Sequence, residues 1–530
     1  MGHNMSFPLS FKGQIYHQFC DFYILFIFLR FVLKTNFMKK SVVNLLSGAM
    51  ILTAMLSVSC GKDLAKLTID LETPATGGAN PVISQGETLE IPFTVGQLEG
   101  YSVTAEATCD NDSYTVAAEI DTNGKSGKVT LSAPEFIFED ASIIITLIVK
   151  DAENSRTTQH EITVDAVSVL ETLAVSSNCH LVSPGSFIKF ASVKGNSTEK
   201  VSAEKVELLW QDAAGLVDST FTITKDEIYV NLAKELQGNA VVAAKDAEGT
   251  ILWSWHIWVS AEDPTANLMP YTYTPAEGES QSFQFMDRNL GALSAELGTA
   301  AVNGCFYQWG RKDPFPGPTY EGTIKPIYNS KGEVIAVESA SPEVTDNLEN
   351  SIQNPLTRYC FTSSNNGNYS WITNNWSGLG FDAVKDLWGG VSNAKTMYDP
   401  CPAGYRIPKA VGFYFWNDKE VTKEKVFSNP ESTAHADQMG KKVTIGDKSF
   451  YFPLQGEVNQ GATFEAGYKK SGYGGGETWP NGKHWTSQFD GSGNSSSYFR
   501  AWSTSVSPTS TSYSMGINLG YAVAVRCIKE

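Results

Sequence analysis

From residue 61 to about residue 261 the apolar residues recur at alternate positions, with no helical period, and that pattern commits this half of the chain to β-sheet. Residues two apart share a face of a strand, so alternation buries one face and leaves the other wet. Residues 114–120 read as a strand, 121–127 as a turn rich in Asp, Asn and Gly, and 128–133 as the returning partner. Residues 143–149 form a β-branched run, and 160–164 alternate. Strands at this spacing predict a β-sandwich over 68–166. A second sandwich is expected over 167–261, from strands at 187–190, 206–210, 221–224, 227–232, 241–245 and 251–259. In the last of these, Trp253, Trp255, Ile257 and Val259 share one face, and Leu252, Ser254, His256 and Trp258 share the other. An aromatic row of this kind can stack sugars. Filling the sandwich core, or the seam with the next domain, is the commoner use of tryptophan.

Residues 1–59 are set aside as leader. Met38, Lys39 and Lys40 make a positive start, followed by an apolar stretch over 42–55 and then Leu56, Ser57, Val58, Ser59 and Cys60. This is the layout of a secretory signal. Its apolar core is shorter than the roughly 20 residues of a spanning helix. Cys60 directly after small residues resembles a lipobox, whose thiol takes a diacylglyceryl group and becomes the mature N-terminus. Ser57 stands where an aliphatic is usual, with Leu56 one place back. The alternative is an ordinary secretory signal with an incidental Cys. Met38 begins a complete signal, so residues 1–37 read as an early start; the apolar stretch 22–33 as a second membrane segment is the alternative. Residues 60–67 then form the anchor and linker. The expected location is the outer membrane, held by lipid and facing the cell surface, with the periplasmic face as the alternative.

The net charge of -17 excludes nucleic acid as a partner, because phosphate binding needs a concentrated basic face. With 42% hydrophobic and 18% charged residues the chain has enough apolar side chains for real cores. Beyond Cys20 and Cys60 the cysteines are Cys109, Cys179, Cys305, Cys360, Cys401 and Cys527, and none forms a C-x-x-C pair. In an exported chain disulfides are their natural use. No metalloprotease, nucleophile-elbow or phosphate-loop motif occurs, and His160, His180, His256, His435 and His484 are isolated in sequence. No catalytic residue, metal site or cofactor is expected.

Residues 262–530 are richer in Trp, Gly and Asn. Four segments stand out: Phe-Met-Asp-Arg-Asn-Leu-Gly-Ala at 285–292, Phe-Tyr-Gln-Trp-Gly-Arg-Lys-Asp-Pro-Phe at 306–315, Asp-Pro-Cys-Pro-Ala-Gly-Tyr-Arg-Ile-Pro at 399–408, and Ala-Val-Arg-Cys-Ile at 524–528. Read alone, Asp287 and Arg288 pair, Tyr307 and Trp309 pack into a core from one strand face, and the prolines at 400, 402 and 408 impose a rigid path around Cys401. Together and in this order the segments resemble the Fibrobacter succinogenes major paralogous domain of secreted and surface lipoproteins. The resemblance implies a C-type-lectin-like or sulfatase-modifying-factor-like α+β fold with long loops, preceded by Ig-like modules. The whole chain is therefore expected to be mainly β. The resemblance also implies a Cys401–Cys527 bridge tying Cys527, on the terminal strand, to the middle of the domain. Cys305–Cys360 is the next candidate pair, and Cys109 and Cys179 are expected free. Residues 382–388 and 434–441 read as short helices. The cysteine site of the sulfatase-modifying enzymes does not map onto Cys305 or Cys360. Trp416, Asn417 and Asp418 spell a calcium motif of sugar-binding lectins but lack its partner motif, and the match reads as coincidence.

The candidate ligand site is the Gly-rich loop 471–497, with aromatic faces from Tyr473, Trp479, His484 and Trp485 and polar groups from Asn481, Gln488 and Asp490. The alternative role for its tryptophans is pinning a long loop to the core. The expected function is a non-enzymatic cell-envelope lipoprotein, a surface adhesin or fimbria-associated binding protein. Its partners would be the membrane, through the lipid, and a glycan, a host surface protein or fimbrial subunits. The alternative is a glycan-binding accessory protein of a polysaccharide-uptake system, and a further one is an enzyme of the sulfatase-modifying type.

Overall fold

The computed structural model describes residues 65–71, 79–97, 103–296, 300–319, 323–341, 347–359, 370–372, 384–427, 439–459, 463–465, 481–490, 500–507 and 510–530. Cys60, Cys360, Tyr473 and Trp479 lie outside them. The fold is mainly β. No helix among the described residues is long and apolar enough to cross a membrane.

The first sandwich packs the sheet Thr68–Leu71, Thr88–Gly96, Ser126–Ser132, Thr115–Ile120 on the sheet Val82–Ser84, Arg156–Val167, Ala141–Asp151, Val103–Cys109. Ile143, Ile145, Leu147 and Val149 point inward from one strand, as their alternation requires. Each such burial stabilises by about 1.5–3 kcal/mol. Phe136 and Phe138, in the connection after Ser126–Ser132, reach across to Phe187, Phe221 and Tyr229 of the next unit, with ring centroids 4.9–6.4 Å apart. Ser168 Oγ donates to Ile137 O at 2.6 Å and closes this joint.

The second sandwich packs Val217–Phe221, Glu227–Leu232, Phe187–Ala191, Leu170–Leu173 on a six-stranded sheet led by Cys179–Val182, Ile251–Val259, Gly238–Lys245 and Lys205–Gln211. The strand expected at 221–224 ends at Phe221 instead. Thr222 bonds the carbonyls of Thr224 and Glu227 through its side chain, so the chain turns there. The last two strands of the six-stranded sheet, Ile327–Tyr328 and Val334–Ile335, come from beyond residue 262. The sheet therefore runs across the boundary that composition suggests.

Strand Ile251–Val259 explains why. Trp253, Trp255, Ile257 and Val259 fill the sandwich core. The opposite face is also buried, against the third unit. Ser254 donates to Asp313 at 2.7 Å, His256 meets Tyr307 OH at 3.2 Å, and Trp258 Nε1 donates to Ala292 O at 3.1 Å. A strand buried on both faces belongs to two cores at once. A fragment starting at residue 262 would expose Met286, Leu290 and Tyr307, which lie in one cluster with Trp258 and Cys179. We expect residues 262–530 alone to lose fixed near-UV circular dichroism, while 168–530 keeps it. Equal spectra for the two fragments would contradict this shared core.

The third unit is a set of short strands around the disulfide Cys401–Cys527, whose Cα atoms are 6.0 Å apart across a sequence separation of 126. Cys527 lies one residue before the terminal strand Ile528–Lys529, not on it. The segments at 285–292, 306–315, 399–408 and 524–528 meet here. Met286 N donates to Cys527 O, Leu290 N to Val525 O and Cys305 N to Leu290 O, at 2.9–3.0 Å. Asp287 and Arg288 pair through two bonds of 2.7 and 3.1 Å, and Tyr307 and Trp309 are fully buried. A helix that sequence reading did not anticipate spans Asn347–Gln353. Arg311 caps it, donating to Ser351 O and Asn354 O at 3.4 Å, and also binds Pro355 O and Thr357 O just beyond it at 3.1 and 2.7 Å. Of the helix expected at 434–441, residues 434–438 lie outside the described residues, and 439–441 belong to the strand Met439–Ile445, where Lys441, Lys442 and Val443 pair with Phe452, Tyr451 and Phe450. Residues 385–388 are turns, and 382–383 lie outside the described residues.

Candidate functional site

The described part of the Gly-rich loop is core. His484 is 1% and Trp485 0% exposed. His484 Nε2 lies 3.1 Å from Asn289 Oδ1 and its Nδ1 3.3 Å from Thr504 Oγ1. Trp485 Nε1 donates to Tyr307 O at 2.7 Å. These two rings pin the loop and are corrected from ligand contacts to packing. Gln488 Oε1 accepts from Ala410 N at 2.8 Å, so it too is engaged. Cys305 is a free thiol, buried like Cys179, and is not half of a disulfide; Cys109 is also free. Asp418 accepts from Tyr271 OH at 3.1 Å and from Glu420 N at 3.0 Å, which uses the carboxylate of the lectin-like motif structurally. Among the described residues no three His, Cys, Asp or Glu side chains group to hold a metal.

A cleft of about 1120 Å³ lies elsewhere, between the second sandwich and the third unit. One wall is His180, Phe190 and Trp255; the other carries Phe283, Lys395 and Arg406. The His180 and Phe190 rings meet at a 35° tilt with centroids 4.2 Å apart, and Phe190 meets Trp255 edge-on at 5.5 Å. A second cavity of about 610 Å³ lies behind, sharing Leu173, His180 and Ala403 with the first. His180 lines both cavities. It is 5% exposed, and among the described residues its Nε2 has no hydrogen-bond partner. Burial pulls its basicity down to about 3, so the ring is neutral at physiological pH. A buried ring nitrogen without a partner costs free energy until something bonds it.

The two walls are fastened at their base. Asn178 donates to Met397 O at 2.7 Å and Asp399 O at 2.9 Å; Asn196 donates to Thr396 O at 2.8 Å; Ser177 donates to Cys401 O at 3.1 Å. Asp399 in turn accepts from Cys401 N at 2.8 Å and Ile407 N at 3.0 Å, and burial raises its carboxyl to about 6. The rim at Asn393–Lys395 depends on Gly389. Its φ is +70°, and a Cβ there would lie 1.8 Å from Ala394 O, so only glycine fits. Sequence reading missed this site because its residues come from distant segments. The nearest signal was His180 directly beside the buried Cys179, and nothing in a four-residue strand tells which neighbour its face will meet.

Another polar cluster, Ser254, Lys312 and Asp313, is sealed. Lys312 Nζ donates to Ser254 Oγ at 2.6 Å and Asp313 at 2.7 Å, and sits 4.5 Å above the Trp253 ring. All three residues are at most 3% exposed, so the trio ties the units together.

No protein-family model matches the chain, and no curated protein does. Among solved structures it is similar to domains 4 and 5 of the S-layer protein SbsC, at 20% identity over 19% of this chain and 54% of that one, with a TM-score of 0.14. It is similar to the eight N-terminal Ig domains of Down syndrome cell adhesion molecule, at 11% identity over 45% and 31%, with a TM-score of 0.15. It is also similar to Bacteroides ovatus SGBP-B, of a mixed-linkage glucan utilization locus, in complex with a heptasaccharide, at 12% identity over 36% and 47%, with a TM-score of 0.12. The chain spans about half or less of each of these. At such TM-scores the likenesses carry neither a shared fold nor a function to this chain.

Proposed function

We propose that this chain is a non-enzymatic lipoprotein of the bacterial surface, anchored through Cys60, that captures a glycan in the cleft between its second sandwich and its third unit. The first sandwich serves as a stalk, and the third unit is a lectin-like domain of the major paralogous type. The observation that carries the reading is the cleft's composition. The half-buried Phe283 ring lies beside Asn393 and Arg406, across from the buried His180 and Phe190, with one His180 ring nitrogen left without a partner among the described residues. Ring faces stack on sugar rings, and planar amides and guanidinium match vicinal hydroxyls. The volume slightly exceeds the usual range of about 300–1,000 Å³ for small-molecule sites, which suits an oligosaccharide. Capture of this kind serves adhesion, on its own or within a fimbria, and equally serves feeding a polysaccharide-uptake system.

A glycan array probed with the mature chain tests this. We expect bound members, and a loss of roughly tenfold in affinity, about 1.4 kcal/mol, for Phe283→Ala, a half-buried cleft residue. An array with no bound member, or a variant that binds equally well, would sink the reading.

A further inference from the structure

We infer that the glycan taken by this cleft is acidic, its carboxylate or sulfate groups lying toward Arg406 and Lys529, which both line it. The inference rests on the cleft being the glycan site. The chain as a whole is acidic, with 57 Asp and Glu against 40 Lys and Arg. The larger cavity has the opposite balance: Lys200, Lys395, Arg406 and Lys529 line it, against Glu530 alone, whereas the carboxylates Glu171, Glu262 and Asp263 line the second cavity.

Two of these cations are already engaged. Lys200 faces Asp226 at 3.2 Å. Lys395 donates to the carbonyls of Cys401 and Pro402 at 2.9 and 2.6 Å, has Glu530 at 3.8 Å, and also feels the Asp399 carboxylate. Arg406 and Lys529 form no ion pair among the described residues. Arg406 instead gives two N–H groups to Asn393, one to the backbone carbonyl at 2.6 Å and one to the amide oxygen at 2.8 Å. Both acceptors are neutral, so the guanidinium is oriented while keeping its full charge. A fixed guanidinium fork is the group that binds carboxylate and sulfate with two parallel bonds. Walls of low polarity concentrate its field within the cleft.

The same surroundings favour a sugar over an acidic peptide. The half-buried Phe283 ring lies on one wall, and the buried His180 and Phe190 rings back the other. The His180 Nε2, without a partner among the described residues, and the N–H groups of the Asn393 amide suit hydroxyls, which a sugar carries on every ring and a run of acidic residues does not.

The test is the same array with acidic and neutral members, followed by titration of a bound acidic oligosaccharide and of hexaglutamate. Bound members should carry uronate, sialyl or sulfate groups. Affinity should fall roughly tenfold in the double variant Arg406→Gln, Lys529→Gln and at least about threefold in Lys529→Gln alone, a fully surface change that spares the fold. It should also weaken as sodium chloride rises from about 50 to about 500 mM. Binding confined to neutral members overturns the inference and leaves the cleft reading standing. Acidic binding indifferent to both variants, or hexaglutamate bound as tightly, also overturns it. No bound glycan overturns the reading on which it rests.

Discussion

Exchanging Cys401 and Cys527 together for alanine should cost the third unit about 5 kcal/mol. The bridge closes a loop with a sequence separation of 126, and the chain-entropy account gives about 4.7 kcal/mol for a loop of 100 residues, rising slowly with length. The bridge also holds functional geometry. Cys401 O accepts from Ser177 and Lys395, and Gly404 and Arg406 of the cleft rim follow within five residues. Loss of the bridge should therefore loosen the rim as well as lower stability. Denaturation followed by tryptophan fluorescence should show the transition of the second and third units move to lower denaturant. The first sandwich has its own core and should be unaffected. A change under about 1 kcal/mol would show that packing alone closes the unit.

Acid should weaken the same two units steeply. His180, His256 and His484 are buried and neutral. Burial lowers His180 and His256 to about 3, and His484 well below its ordinary value. An unfolded histidine titrates near 6.5, so unfolding takes up about three protons below that pH. Stability from these rings is complete above 6.5 and is lost as pH falls toward 3. Asp399 acts in the opposite sense. Its folded carboxyl titrates at about 6 and its unfolded one near 3.9, so between those values unfolding releases a proton. The net uptake of about two protons between pH 6 and 4 corresponds to about 2.7 kcal/mol per pH unit. Melting temperatures across pH 7 to 4.5 measure this slope. His256→Gln should remove about one proton from it, since glutamine keeps a bond to Asn239, which now meets the ring at 2.9 Å. A slope unchanged in that variant would mean the ring is not held neutral.

Much of the architecture is legible as alternation. Strands Glu227–Leu232 and Ile251–Val259 fall where period two places them, and the two faces of Ile251–Val259 separate as the pattern divides them. Which core each face would join is not legible, because the partners of Ser254, His256 and Trp258 lie 34 to 59 residues away. The motif residues around Trp309 and Arg311 look like a functional signature in sequence, yet they are spent on burial and on the cap of Asn347–Gln353. His484 and Trp485 show the same confusion. An aromatic pair beside a run of glycines looks like a sugar platform, and here it heads the strand Trp485–Asp490 into the core. The cleft itself was not visible, since its walls meet through the bonds of Ser177, Asn178 and Asn196 to the distant 396–401 segment.

The central claim is that ligand lies between His180 and Arg406. A crystal structure of the mature chain soaked with an oligosaccharide selected from the array tests this most directly. Density is expected in that cleft, with a sugar hydroxyl bonded to His180 Nε2 and a ring over Phe283. Density confined to the segment 471–497, with the cleft empty, would contradict it.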